Sequence, residues 1–401
     1  MIQKTIIFIG VVLAMLSCSN NPKVKQRDAT KDIAEEAATK AQNTEVIVHY
    51  MGWYSDEEAQ GKKLRHWEHG YANTPIIGQY NSQSTATLVY HALLAWSAGI
   101  DAIAVNVKDQ YDHDTATALF DVIDELDSIS QGSFDLKYLM SYDDQGFDLE
   151  APLDTTLVKM NDFKDHLMGR ENYLYHNNHP LFFSFDYPKK FLTPKSFRTV
   201  IDTVFQTDKP YLIWNTFGEG EDVETFVDAF YPWVQPGGEW DAQGMNWGEG
   251  YLEYFYKHVN DFETPYDFVI GGVWPGFDDR KNTSWGGNRL ISRQNGKVYD
   301  NTWNFIHHYN GGLPMKYVVL ETWNDWNEGT EIEPSVEHGY KYLVQTIKNV
   351  NELKGSAIPE NQSQFEKVKE IHDAIQINRD TISEVINISI QNFILQTKTK
   401  L

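Results

Sequence analysis

The chain has 401 residues, more than a small single domain needs and suited to one α/β barrel of ~250 residues or more with extensions. Its 57 acidic residues against 34 basic ones give a formal charge of −23, which argues against nucleic acid and anionic lipid headgroups as partners and weighs against heavily sulfated or uronate-rich substrates. Hydrophobic residues make up 41%, enough for a sizeable core, and 12 Trp with 22 Tyr supply rings both for that core and for stacking on sugar faces.

Residues 1–17, MIQKTIIFIGVVLAMLS, carry a Lys near the start and an apolar run from Ile6 to Leu16. This reads as a secretory signal peptide, too short to span a bilayer core of ~30 Å. The run ends at Ser17-Cys18 and is followed by SNNPKVKQ, which looks like a bacterial lipobox with Cys18 lipidated as the first mature residue. Met15 stands where Leu is commoner, and an ordinary signal peptide is the alternative. The expected location is outside the cytoplasm, periplasmic or at the cell surface, with the membrane touched through the lipid alone. Cys18 is the only cysteine, so disulfides and thiolate chemistry are excluded from the rest of the chain. Residues 18–43 read as the lipidated Cys and a polar, Ala-rich, flexible tether.

From Thr44 strands and helices alternate. Glu45 to Met51 is a β-branched run, Ser84 to Ala98 has helical spacing, and Ile100 to Val107 is a second strand. Thr115 to Ile129 places Leu119, Val122, Ile123 and Leu126 on one helical face. Leu136 to Met140, Leu181 to Phe185, Tyr211 to Trp214, Phe268 to Val273 and Tyr317 to Leu320 are further strands. An eighth is expected near Gln243 to Trp247. Such alternation implies right-handed βαβ units, in a barrel or in a doubly wound open sheet. No Gly-rich phosphate loop follows the first strand, and polar and aromatic residues gather at the C-terminal ends of nearly all strands. Both features favour a (β/α)8 TIM barrel over residues 44–350, whose active site sits at that end. Residues 351–401 read as a C-terminal tail of two polar helices, packed outside the barrel or partly disordered.

The stretch ETWNDWNEGTEIEPS, Glu321 to Ser335, crowds five acidic side chains behind the last strand. In a helical turn, Asp325 and Glu328 would have Cβ atoms ~5–6 Å apart. Glycoside hydrolysis needs two carboxyls flanking the bond, ~5–5.5 Å apart for retention and ~6.5–9.5 Å for inversion. Crowding raises the pKa of one member, as a general acid requires. A solvated acidic loop is the plain alternative, but the interleaved Trp323 and Trp326 speak against it and are themselves candidates for substrate contact. Glu333, before Pro334, reads as a structural acceptor; Glu331 is left open between scaffold and substrate contact.

Other candidates for the pocket wall follow the first strand: Trp53, Tyr54, His66, Trp67 and His69. Asn106, Asp143, Asp186, Asn215 and Trp274 stand at strand ends. After the seventh strand a long loop offers Asp278, Asp279, Arg280 and Trp285, with pairing of Asp279 to Arg280 or Arg289 as the structural alternative. His66 and His69 lack a third ligand at metal spacing, and the pairs Asp112/Asp114 and Asp143/Asp144 fit no EF-hand, reading instead as helix caps and pocket rim. No metal or other cofactor is expected.

The run WNDWNEGTEIEP, Trp323 to Pro334, resembles the strand-eight signature Asn-Glu-Trp-His-Glu-Gly-Thr-Gln-Ile-Glu-Pro of glycoside hydrolase family 99, the endo-acting α-mannosidases and α-mannanases. It is also similar to the Trp-Asn-Asp-Tyr-Gly-Glu motif of family 71, the α-1,3-glucanases. The aromatic GWY and HWEHG, the passage AWSAGIDAIAVNV and WPGFDDR agree, so the likeness covers roughly residues 45–350. It implies a TIM-barrel glycosidase acting on an α-linked polysaccharide or oligosaccharide. By position Glu328 takes the general acid/base role and Asp325 that of the second catalytic carboxylate. In family 99 the latter is a Glu thought to act as base on the sugar's own 2-hydroxyl, with retention. Here it is Asp, as in family 71, and Asn327 replaces the intervening His. Asp is one methylene shorter, roughly 1.5 Å of reach, which makes room for a water and favours inversion. A surface glycan-binding protein on a decayed barrel is the alternative from another class, and a glycosyltransferase-associated relative a third; the export signal disfavours the latter.

Overall fold

A computed structural model describes residues 44–56, 65–143, 152–185, 192–215, 226–261, 266–399 and 401. The expected signal peptide, Cys18, the tether, Asp144 and Asp186 therefore lie outside the described residues. Eight parallel strands form a nearly closed barrel: β1 Glu45–Met51, β2 Ala102–Val107, β3 Lys137–Asp143, β4 His179–Phe185, β5 Tyr211–Trp214, β6 Ala229–Phe230, β7 Val269–Val273 and β8 Met315–Leu320. Each strand from β1 to β5 pairs with its successor, and β8 returns to β1 through Glu45 opposite Tyr317. Strand interiors are buried, as the short apolar runs require.

The sixth strand is not where the sequence pattern puts it. Gln243–Trp247 forms turns because the Asp241 carboxylate accepts the backbone N–H groups of Gln243, Met245 and Asn246, winding the chain around one side chain. The gap in the barrel is filled instead by the two-residue β6, which pairs with β5. Among the described residues no ladder joins β6 to β7. Pro232 lies against Gly272 of β7, so closely that a Cβ there would stand 2.6 Å from the Pro232 carbonyl oxygen. Proline has no N–H to donate, so this seam closes by packing rather than by hydrogen bonds.

The helices are α1 Thr85–Ser97, α2 Gln110–Ile129, α3 Pro152–His166, α4 Pro194–Val204, α5 Glu249–Asp261, α6 Lys297–Tyr309, α7 Lys341–Lys354, α8 Ser363–Ile377 and α9 Glu384–Lys398. The cap of α2 is Asp109, whose carboxylate accepts the N–H of Asp112; neither Asp112 nor Asp114 is the cap. Almost every residue of α1 is buried. One face lies on the barrel and the other is covered by α8, so the helix is apolar all round. The tail is thus packed on the barrel. Gln364 of α8 donates to the Ser97 carbonyl at 3.2 Å. Asp380, between α8 and α9, accepts from Ser84 Oγ and from the N–H groups of Thr85 and Ala86 at the N-terminus of α1. No described helix is long and apolar enough to cross a membrane.

Candidate active site

Behind β8 the chain folds back across the C-terminal mouth in turns rather than a helix. Trp323 N–H reaches the His49 carbonyl on β1 at 2.7 Å. The Asn324 side chain accepts from Met51 N–H at 2.7 Å and donates to the Met51 carbonyl at 2.9 Å, pairing with β1 as a strand would. Tyr54 accepts the Trp326 N–H and donates to Asn327, whose amide in turn reaches the carbonyls of His66 and Gly70. The segment is therefore fastened on one side to β1 and on the other to the loop after β1. Gly329, at φ +60, completes the turn where a Cβ would stand 2.9 Å from that of Ala72.

Within this turn Asp325 Oδ1 accepts the backbone N–H of Glu328 at 3.1 Å, and Asp325 N–H donates to Thr322 Oγ1 at 2.8 Å. Asp325 is 2% exposed and the Glu328 side chain 14%. Neither points into bulk solvent. Burial pushes the Asp325 carboxyl well above the usual carboxylate range, and the charge of Glu328 pushes it further. Glu328 is also raised by burial, opposed by Arg289 Nη2 at 3.7 Å and by Trp285 Nε1, which donates to its Oε1 at 3.0 Å. Two carboxyls that repel in a dry site share protons rather than both ionising, the condition for pairing an acid with a base.

The aromatic candidates divide into two groups. Tyr54, Trp67, Trp274, Trp323 and Trp326 are buried at 2% exposure or less, so as placed none offers a face to a sugar. The expectation that Tyr54, Trp67, Trp274, Trp323 and Trp326 contact substrate is corrected here. Tyr54 and Trp67 lie ring against ring at 4.3 Å, and Trp67 Nε1 donates to the Tyr80 carbonyl, because indole and phenol bodies fill space while their polar tips satisfy the loop. Trp274 Nε1 is likewise taken by the Trp247 carbonyl. The second group gathers beside Glu328: Trp53 stacks on His66 at 4.7 Å, and Trp285 meets Trp53, His66 and His69 edge-on. Trp285 is 37% exposed and is the ring a ligand would meet at this rim.

In the loop after β7, Asp279 is a loop holder. Its carboxylate binds Arg289 through Nε at 2.6 Å and accepts the N–H groups of Gly287 and Arg289. Arg280 turns to Asp278 on the exposed surface, while Asp278 N–H donates to the Glu328 carbonyl at 2.6 Å. Asn106 and Asp143 are buried and joined at 3.2 Å, and Asn215 is buried at the end of β5. Glu331 is scaffold: Arg293 and Asn73 grip its Oε1, and the same Arg293 nitrogen holds the carbonyls of Gly329 and Glu331. Burial raises the Glu331 carboxyl to about 7 against the pull of Arg293. Glu333 accepts from Tyr80 and Trp326 and lies 3.1 Å from His91, in the acceptor role its sequence context suggests.

Sequence reasoning missed Lys108, Arg293, Tyr80 and His91. Lys108, one residue past β2, stands 3.2 Å from His66 Nε2 and 4.5 Å from the centre of the Trp53 ring, and its charge favours the ionised form of Asp325. A polar residue directly after a strand was its only signal. Among the described residues no group of three or more His, Cys, Asp or Glu side chains is placed to hold a metal ion.

A family model described as Glycosyltransferase WbsX matches residues 249–346, from α5 through β7 and β8 into α7. No curated protein matches the sequence. Among solved structures, the GH99 endo-α-mannosidase from Bacteroides thetaiotaomicron in complex with Bis-Tris propane superposes with a TM-score of 0.60 at 21% identity, covering 78% of this chain and 97% of that one. A second structure of the endo-α-mannosidase gives 0.58 at 21% identity over 77% and 97%. A glycoside hydrolase-like protein gives 0.55 at 17% identity over 78% and 94%. The resemblance carried by the strand-eight motif is thus met by neighbours of the same family name, and at these identities what they share with this chain is the fold.

Proposed function

We propose that the chain is a glycoside hydrolase cleaving an α-linked polysaccharide, α-mannan or α-glucan, with Glu328 protonating the leaving oxygen and Asp325 serving as base. The observation that carries this is the pair itself: two buried carboxyls in one turn behind the last barrel strand, both titrating above the ordinary range. Burial raises both carboxyls, Asp325 the further of the two, so the division into acid Glu328 and base Asp325 rests on their match by position to the family 99 motif. Endo action follows the likeness to endo-α-mannosidases. Asp325 in place of a Glu favours inversion with water as nucleophile. Export and a lipid at Cys18 belong to the same reading, since polysaccharide is met outside the cell.

The test is incubation with α-mannan and α-1,3-glucan, following the anomer of the first product by NMR. Asp325→Asn and Glu328→Gln each lower turnover by at least about 10³-fold with the melting temperature unchanged or raised. A glycoside with a good leaving group restores Glu328→Gln and not Asp325→Asn, because departure then needs no proton. Near-normal activity in either variant overturns the assignment, a retained anomer overturns inversion, and capture of glycan without products favours the binding-protein alternative. The WbsX match favours one further reading, a transferase-associated barrel. Sugar transfer from a nucleotide donor in place of hydrolysis would support it.

A further inference from the structure

On the outer wall of the barrel, α5 and α6 part to leave a groove of about 430 Å3, within the ~300–1,000 Å3 span of small-molecule sites. None of the residues proposed to act on substrate lines it. It runs the length of α6, from Lys297, the first residue of that helix, to Tyr309, the last. Lys297 follows the loop after β7, which carries Trp285 and Arg289 beside Glu328, so one end of the groove lies on the mouth side of the barrel.

Three rings make its apolar part. Phe305 and Tyr309, one turn apart on α6, lie nearly parallel with centres 6.1 Å apart, and Tyr256 backs them, stacked on Tyr309 at 4.6 Å. Trp247 meets Phe305 at 5.9 Å with an interplanar angle of 71°, so the rings form a floor and a wall. All three are only partly buried, unlike Trp274 and Trp326. Trp247 is also held in place. Its carbonyl accepts from Trp274 Nε1, and the Asn246 side chain accepts the Gly248 N–H. Gly248, at φ +95, has no room for a Cβ, which would stand 2.9 Å from the Trp274 ring. Polar side chains line the rest of the groove: Glu249 and Glu253 from α5, Asn301 and Asn304 from α6. Among the described residues these four side chains enter no hydrogen bond or ion pair of the fold.

We propose that the groove between α5 and α6 is a second glycan-binding site, which holds a distant stretch of the same α-linked polysaccharide that meets Asp325 and Glu328 at the mouth. A sugar unit suits it because carboxylates and amides take neighbouring hydroxyls while aromatic rings take the apolar C–H face. An amphipathic helix would need a groove apolar along its length, and a peptide strand would need a free sheet edge; this wall is helical and mixed in character. The inference rests on the carbohydrate part of the proposed function and not on cleavage. A chain long enough to reach both sites is held at a raised effective concentration by the second, and a short oligosaccharide is not.

The test compares the full chain with Trp247→Ala and with a double variant, Glu253→Ala and Asn304→Ala, both at exposed positions where folding is unaffected. KM is measured on α-mannan and α-1,3-glucan polymers and on short oligosaccharides of the same linkages. Retardation in native gels containing each polymer is read on chains that also carry Asp325→Asn, so that the polymer is not consumed. In both variants KM on the preferred polymer rises about five- to tenfold and retardation weakens, while kcat and the oligosaccharide KM stay as in the parent. Unchanged polymer KM and retardation in both variants, or an equal rise of KM on oligosaccharides, overturns the groove and leaves the hydrolase reading to the turnover assays. If sedimentation shows a parent chain that self-associates and a double variant that does not, the groove is an interface between copies and the proposal falls. Should the parent cleave no α-glycan, retardation that is lost in the groove variants upholds the site, and a parent retarded by no α-glycan overturns both readings.

Discussion

Trp285 is the residue whose replacement separates the two roles assigned to the carboxylates. Its Nε1 donates to Glu328 Oε1, and a hydrogen bond to a carboxylate favours the ionised form. Trp285→Phe keeps a ring against Trp53, His66 and His69 but removes the donor, so the Glu328 carboxyl titrates at higher pH. If Glu328 is the general acid, its protonated form then persists further into the alkaline range. The basic limb of the kcat/KM profile moves up while the acidic limb stays. If Glu328 were the base, the acidic limb would move up instead. Folding changes little, by about 0.5 kcal/mol or less beyond the lost ring area, because Trp285 lies at the exposed rim. The pair Asp325 and Glu328 was legible in the sequence because both members sit in one turn with Trp323 and Trp326 between them. Lys108, Arg289 and Arg293 act on that turn from β2 and the loop after β7. Neighbours brought together only by barrel closure leave no local spacing to read.

At the scale of the element, the turn behind β8 is held from below by one buried carboxylate. Glu333 accepts from Tyr80 at 2.8 Å and from Trp326 Nε1 at 3.2 Å, and His91 approaches at 3.1 Å while bonding Tyr50 on its other nitrogen. Glu333→Ala strands these donors in a site with no solvent. The expected loss is about 3 kcal/mol or more, read as a lower urea midpoint. Glu333→Gln keeps one acceptor oxygen and loses less. If the alanine variant unfolded at the same urea concentration as the parent, Glu333 would not be the anchor of this turn. The strands β1 to β5, β7 and β8 were readable because a buried parallel strand is a short, mostly apolar run. β6 was not, since two residues, Ala229 and Phe230, are too few to show any period. The composition near Gln243–Trp247 misled in its place, where Asp241 and Gly244 make a turn that hydrophobic patterning does not register.

Across the whole molecule, the tail and the barrel share one helix. α1 is buried on both sides, against the strands and against α8, and Asp380 of the tail caps its N-terminus with three hydrogen bonds. A carboxylate there satisfies N–H groups that have no partner inside the helix and complements the positive end of its dipole. The tail therefore acts as an outer layer of the barrel, although its polar composition alone is equally compatible with a solvated extension. All 12 tryptophans precede the tail, so tryptophan fluorescence reports mainly the barrel, Trp96 of α1 excepted, whose indole bonds Asp135 beside Lys398 of the tail. If tail and barrel unfold together, Asp380→Ala lowers the urea midpoint seen by fluorescence, by an amount equivalent to about 1–2 kcal/mol, and the circular dichroism transition moves with it. If α8 and α9 detach first, the main fluorescence transition keeps the parent midpoint, with a small early change from Trp96, and the dichroism shifts. Catalysis gives an independent check. Ser84 leads into α1 at the end of the loop that carries Trp53, His66 and Tyr80, so loosening this cap raises KM for polysaccharide before it alters the carboxylates themselves.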